Sequence, residues 1–118
     1  MAVIPTLVTG EAIFDNISPA FSGAIAHIIL QDTTLADAAA VGIAHLDIPN
    51  ISFQPGREPL AFAFPSVRLD PSKRYEVRVH IDLDGDGRVG PGDHITTESY
   101  PVPIAGGRAH LKLRLRCI

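Results

Sequence analysis

Residues 82–93 read D-L-D-G-D-G-R-V-G-P-G-D, a stretch where carboxylates, glycines and a fixed spacing coincide. Asp82, Asp84 and Asp86 fall at positions 1, 3 and 5 of a calcium-loop template. Gly87 occupies the position of the sharp turn, Arg88 the position whose backbone carbonyl serves as ligand, and Asp93 position 12. Oxygen donors at this spacing suit a hard cation, so calcium is the expected cofactor, and Val89 supplies the usual apolar residue at position 8. Strong EF-hand loops carry Glu where this chain has Asp93. The shorter side chain reaches less readily for bidentate binding, which places the expected affinity at the weak end of the calcium range. The competing reading is a plain turn, since Asp and Gly both tolerate positive φ. His80 and His94 bracket the loop. With the loop acids they define the alternative, a transition-metal-binding protein or a metal-dependent enzyme, although oxygen-dominated ligands favour a harder ion.

An EF-hand needs a helix on each side of its loop, and these flanks read as strands. Tyr75, Val77, Val79 and Ile81 alternate with Glu76, Arg78 and His80, a period of two that puts the apolar set on one face. After the loop, residues 95–100 are rich in strand formers and end at Pro101. The loop is therefore expected to cap a β-hairpin. A cation there would neutralise clustered carboxylates and fix a glycine-rich connection, which is a stabilising role.

The elements expected to carry this hairpin are also short and alternating. A first strand is expected over residues 7–14, with Val8, Ala12 and Phe14 on one side and Thr9 and Glu11 on the other. Residues 24–31 are apolar enough on both faces for a central strand, with His27 read as a core or interface histidine. Residues 35–47 fit either a helix capped by Asp32, Thr33 or Thr34, or a loop followed by a strand ending at Pro49; the β neighbours favour the second. Leu60, Phe62 and Phe64 stack on one face of a strand that Pro65 is expected to end. Gly106 and Gly107 are expected to form a last hairpin turn into residues 109–117. There Leu111, Leu113, Leu115 and Cys117 share a buried face, opposite Lys112, Arg114 and Arg116. That basic row protects an exposed edge or meets an acidic partner, the first being the simpler account.

The chain has 118 residues, 46% hydrophobic and 19% charged, with a net charge of −3, ten prolines and ten glycines. That length fits one domain spanning residues 1–118, large enough for a core without staples. Many turns with short alternating runs predict an all-β fold, an antiparallel β-sandwich of about seven strands. The mild acidity argues against nucleic acid as a partner. Cys117 is the lone cysteine, which excludes an intramolecular disulfide. The start, M-A-V-I-P-T-L-V-T-G, shows no basic n-region, long apolar core or cleavage site, so neither secretion nor a membrane span is expected from it. Histidines at 27, 45, 80, 94 and 110 are scattered, with no G-x-S-x-G, no H-E-x-x-H and no phosphate-binding glycine loop. His45 and Asp47 would point the same way on a strand and form a surface pair without a nucleophile. No enzymatic activity is expected.

Several runs carry a resemblance. Thr9 and Gly10, then Q-D-T-T-L-A-D-A over residues 31–38 and I-A-H-L-D-I-P over residues 43–49, stand in the order found in the YbaY/YscW family of small bacterial lipoproteins. Pro59, Leu60, Phe62, Phe64, Leu69, Asp70, Pro71, Arg74, Tyr75 and the T-x-x-x-Y-P-V of residues 96–102 continue it. The resemblance spans residues 9–102. It implies a compact β-sandwich, usually lipid-anchored and facing the periplasm, without known enzymatic activity in most members. Some relatives are pilotins, which help a type III secretion secretin reach the outer membrane, so a chaperone-like role with a secretin-like protein partner is implied. The chain departs from that pattern in lacking a lipobox cysteine and leader, and in carrying the aspartate loop where similar proteins have a shorter turn.

Overall fold

A computed structural model describes residues 3–15, 19–35, 37–56, 59–104 and 106–118. Eight strands are present among them: β1 (Ile4–Ile13), β2 (Phe21–Asp32), β3 (Val41–Phe53), β4 (Leu60–Leu69), β5 (Tyr75–Asp82), β6 (His94–Ile95), β7 (Arg108–Arg114) and β8 (Arg116–Cys117). They form two sheets, β4-β1-β7 and β3-β2-β5-β6-β8, so the all-β sandwich expected from the sequence is the fold. Period-two alternation makes each inner face. Val8 and Ala12 of β1, Ala24, Ala26, Ile28 and Leu30 of β2, Val77, Val79 and Ile81 of β5, and Leu111 and Leu113 of β7 are all buried. Full burial of Ile28, Leu30 or Leu113 contributes about 1.5–3 kcal/mol each.

The loop-then-strand reading of residues 35–47 holds, but neither proline stops its strand. In β3, Ala26 pairs with Ile48 and Ala24 with Ile51, so Pro49 and Asn50 together face Ile25 in a bulge, with Asn50 at φ 58°. In β4, Val8 pairs with Phe64 and Thr6 with Val67, so Pro65 and Ser66 together face Leu7. Both strands are sheet edges, where a missing N–H and a bulge are tolerated.

The C-terminal third differs most from expectation. Residues 95–100 do not form a continuous strand. Only His94–Ile95 pairs regularly with β5, and contact resumes through Tyr100, Pro101 and Val102, whose backbones meet Val77, Glu76 and Tyr75. Gly106 and Gly107 do not make a hairpin either: the chain crosses to the other sheet, where β7 runs parallel to β1. At Leu115, whose amide donates to Ile13 O at 2.9 Å, it crosses back, and β8 pairs with β6. This switch buries Leu115 and leaves Cys117 exposed, which corrects the buried cysteine expected from the alternation. It also ties the C-terminus to the loop, since Ile118 N donates to Asp93 O at 2.9 Å. The basic residues Lys112 and Arg114 lie exposed on β7, an edge strand, as the edge-protection account requires.

Candidate metal centre

The loop lies between β5 and β6, which pair antiparallel through His80 with Ile95 and Ile81 with His94, so it caps a hairpin as expected. Its two end acids are buried and its middle acids exposed. Asp82 Oδ1 accepts from Gly85 N at 3.0 Å and Oδ2 from Gly87 N at 2.8 Å. Gly87 sits at φ 78°, the left-handed turn for which the template reserves glycine. Asp84 Oδ1 accepts from Asp86 N at 3.5 Å, and Asp86 Oδ1 from Arg88 N at 2.8 Å. Asp93 Oδ1 accepts from Leu83 N at 3.0 Å, while Oδ2 accepts from Gly90 N at 3.1 Å. Val89 is 55% exposed, in contrast to the apolar position 8 of a helix-flanked loop.

The acids fall into two clusters that share Asp82. Asp82, Asp84 and Asp86 can offer oxygens within 4.8 Å of one another, and His80, Asp82 and Asp93 can offer one ring nitrogen and two oxygens within the same distance. Asp93 therefore stands with His80 at the inner end of the loop, where its Oδ2 lies 2.7 Å from His80 Nε2. Arg88 is exposed at the loop tip.

His27 and Asp47 were invisible as members of this site in the sequence. The register of β2 against both neighbours places His27 opposite His80 on one side and Asp47 on the other. His27 Nδ1 lies 2.8 Å from Asp47 Oδ1 and Nε2 lies 3.1 Å from Asp82 Oδ2, with the two imidazole centroids 5.4 Å apart. His27 is thus a half-buried bridge on the outer face of its sheet, not a core histidine. His45, the partner expected for Asp47, stays 3.8 Å away and exposed. Only strand pairing could reveal these contacts, because the residues lie 20 and 55 positions apart.

His94 faces the other way. Its ring packs edge-on to Phe14 at 5.4 Å and against Phe21 at 5.2 Å, and its buried Nδ1 has no hydrogen-bond partner among the described residues. Burial pushes its pKa down. The structure therefore does not bring His80 and His94 together around the loop acids.

Electrostatics follow the hydrogen bonds. Burial alone would raise the Asp82 carboxyl, but the His27 imidazole and the Gly87 and Gly85 amides more than reverse this and hold it at about 2. Asp84 is pushed up by Asp82 beside it. Burial likewise opposes ionisation of Asp93, and His80 with the Leu83 and Gly90 amides outweighs it, leaving the pKa lowered. Asp47 raises the pKa of His27 despite its partial burial. As chemistry, this is a set of carboxylates arranged to hold positive charge. His27 lies against Asp47 and Asp82, and His80 against Asp93.

Comparisons with known proteins give one informative similarity. No protein-family model matches the chain, and no curated protein matches it. Among solved structures it is similar to an alternative pilotin from the type II secretion system of Vibrio cholerae, with 27% identity and a TM-score of 0.72 over 97% of each chain. The YbaY/YscW family name receives no support of its own from these comparisons; the pilotin resemblance does. No helix among the described residues is long and apolar enough to cross a membrane.

Proposed function

We propose that this chain is a non-enzymatic, pilotin-like module of the bacterial envelope that binds a secretin-type protein partner. The observation that carries the reading is the similarity to the Vibrio cholerae pilotin, which extends over nearly the whole of both chains. At 27% identity with that coverage the two share a fold along nearly their whole matched length. Deletion of the gene in its host, followed by membrane fractionation, tests the role in cells. Secretin subunits are expected to leave the outer-membrane fraction and return on complementation; unchanged secretin distribution in the deletion strain counts against it.

The second part of the proposal is that residues 82–93 bind calcium as a structural brace. Asp82, Asp84 and Asp86 provide clustered oxygens, the Arg88 carbonyl is the backbone donor of the template, and Asp93 closes the loop at position 12. A cation would relieve the repulsion that pushes Asp84 up beside Asp82. Ligand that binds only the folded state raises stability by mass action, about 2.7 kcal/mol at a hundredfold excess over the dissociation constant. Millimolar calcium is therefore expected to raise the unfolding midpoint of metal-free protein, and Asp84→Ala to abolish that rise. Equal midpoints with and without calcium in the wild type would leave the loop as a hydrogen-bonded turn.

A further inference from the structure

We propose that His80, Asp82 and Asp93 form a binding site for a divalent transition ion of the zinc class, which shares Asp82 and Asp93 with the calcium loop and is set apart from it by His80. The inference goes beyond the secretin-binding reading and does not rest on it. Strand geometry assembles the three ligands. His80 and Asp82 are two apart on β5 and so share a face, while Asp93 immediately precedes His94, which pairs with Ile81 between them. One donor atom from each residue falls within 4.8 Å of the other two, and the His80 Nε2 to Asp93 Oδ2 contact is 2.7 Å. Tetrahedral zinc with bonds of about 2.0–2.1 Å sets neighbouring ligand atoms roughly 3.3 Å apart. The His80–Asp93 contact is shorter than that value, so an ion entering between them has to part the two side chains.

Three observations favour an ion over a purely structural ion-pair network. Asp82 is 0% exposed and Asp93 2% exposed, so two carboxylates share a nearly dry space, where a divalent charge balances both. An imidazole nitrogen stands among the donors, which selects a borderline ion such as zinc over calcium or magnesium. The third is an outer support: Asp47 holds His27 Nδ1 at 2.8 Å, and His27 Nε2 in turn faces Asp82 Oδ2 at 3.1 Å. Such carboxylate–imidazole chains orient ligands around metals. Of the three ligands, His80 lines a groove whose walls also include Ile29, Arg78, Val89 and Ile95.

Calorimetric titration of the metal-free full chain with zinc chloride, and separately with calcium chloride, at neutral pH tests this. The variants are His80→Gln, Asp47→Asn and Asp84→Ala, each checked for folding by circular dichroism. His80→Gln keeps a hydrogen-bonding side chain at a partly exposed position. One zinc per wild-type chain is expected. His80→Gln removes a ligand and should weaken zinc by more than the roughly 10–100-fold usual for losing a group bonded directly to a ligand, whereas Asp47→Asn, which acts on Asp82 only through His27, should weaken it by less. Asp84→Ala should leave zinc affinity unchanged while removing calcium binding. The proposal is overturned if the wild type takes up no zinc, or if His80→Gln binds zinc as tightly as the wild type. Zinc binding lost in Asp84→Ala but kept in His80→Gln would also overturn it, by locating the ion in the outer loop.

Discussion

Replacing Gly10 with alanine is expected to destabilise the domain by about 3 kcal/mol, an overpacking cost at the upper end of its usual range. Gly10 lies in β1, the central strand of its sheet, paired with Phe62 on β4 and Leu111 on β7. A Cβ there would overlap Phe62 Cζ and meet Cε2 at 2.7 Å, with Leu111 O at 3.1 Å. The ring is buried and stands edge-on to Phe64 at 6.1 Å, so any retreat disturbs the packing around it. Glycine is thus required by close packing rather than by backbone angle. A fall in the thermal midpoint of roughly 10 °C follows for a domain of this size. Phe62→Leu in the Gly10→Ala background should recover part of it. An unchanged midpoint for Gly10→Ala would mean that the Phe62 ring does not lie over β1.

Asp82→Ala is expected to cost on the order of 3 kcal/mol at neutral pH, even without metal. The substitution strips the acceptor from the Gly85 and Gly87 amides and from His27 together, and donors left without partners carry the full desolvation penalty. The effect has a pH signature. The folded-state pKa of Asp82, about 2, lies below its ordinary value of 3.8, so the carboxylate stabilises the fold fully above roughly pH 4. That contribution is lost as pH falls through about 2. Urea unfolding of wild type and Asp82→Ala, in steps from neutral to acid, should therefore show two stabilities that differ at pH 7 and converge toward pH 2. A constant difference across that range would show that the carboxylate charge is not what organises the loop.

The strands of the core were legible because each shows its buried face as an uninterrupted alternation: Tyr75, Val77, Val79 and Ile81 in β5, or Leu111 and Leu113 in β7. The hairpin around residues 82–93 was legible for the same reason, and its Asp and Gly spacing named the candidate oxygen donors. Ends were not, because Pro49 and Pro65 sit in bulges of edge strands, and whether a strand is an edge is a property of the sheet order. The fate of Cys117 turned on the sheet switch at Leu115, which alternation alone does not signal. Likewise, nothing local to His27 or Asp47 marks them as neighbours of the loop. Their place depends on the register of three strands, and that register is fixed by the buried alanine and isoleucine face of β2 on the opposite side. His94 was misplaced because a histidine beside an aspartate reads as part of the loop's polar end. Its neighbour in the alternation, Thr96, also points inward, and the ring completes an aromatic cluster with Phe14, Phe21 and Phe53.

The central claim is that this fold is a binding module for a secretin, and a direct binding titration addresses it best. Purified full-length chain would be titrated against the soluble C-terminal region of the outer-membrane secretin from the same organism, with an unrelated outer-membrane protein fragment as control. The account predicts saturable association with the secretin fragment at a fixed stoichiometry and none with the control. Folded protein that binds neither fragment, or both equally, would contradict it.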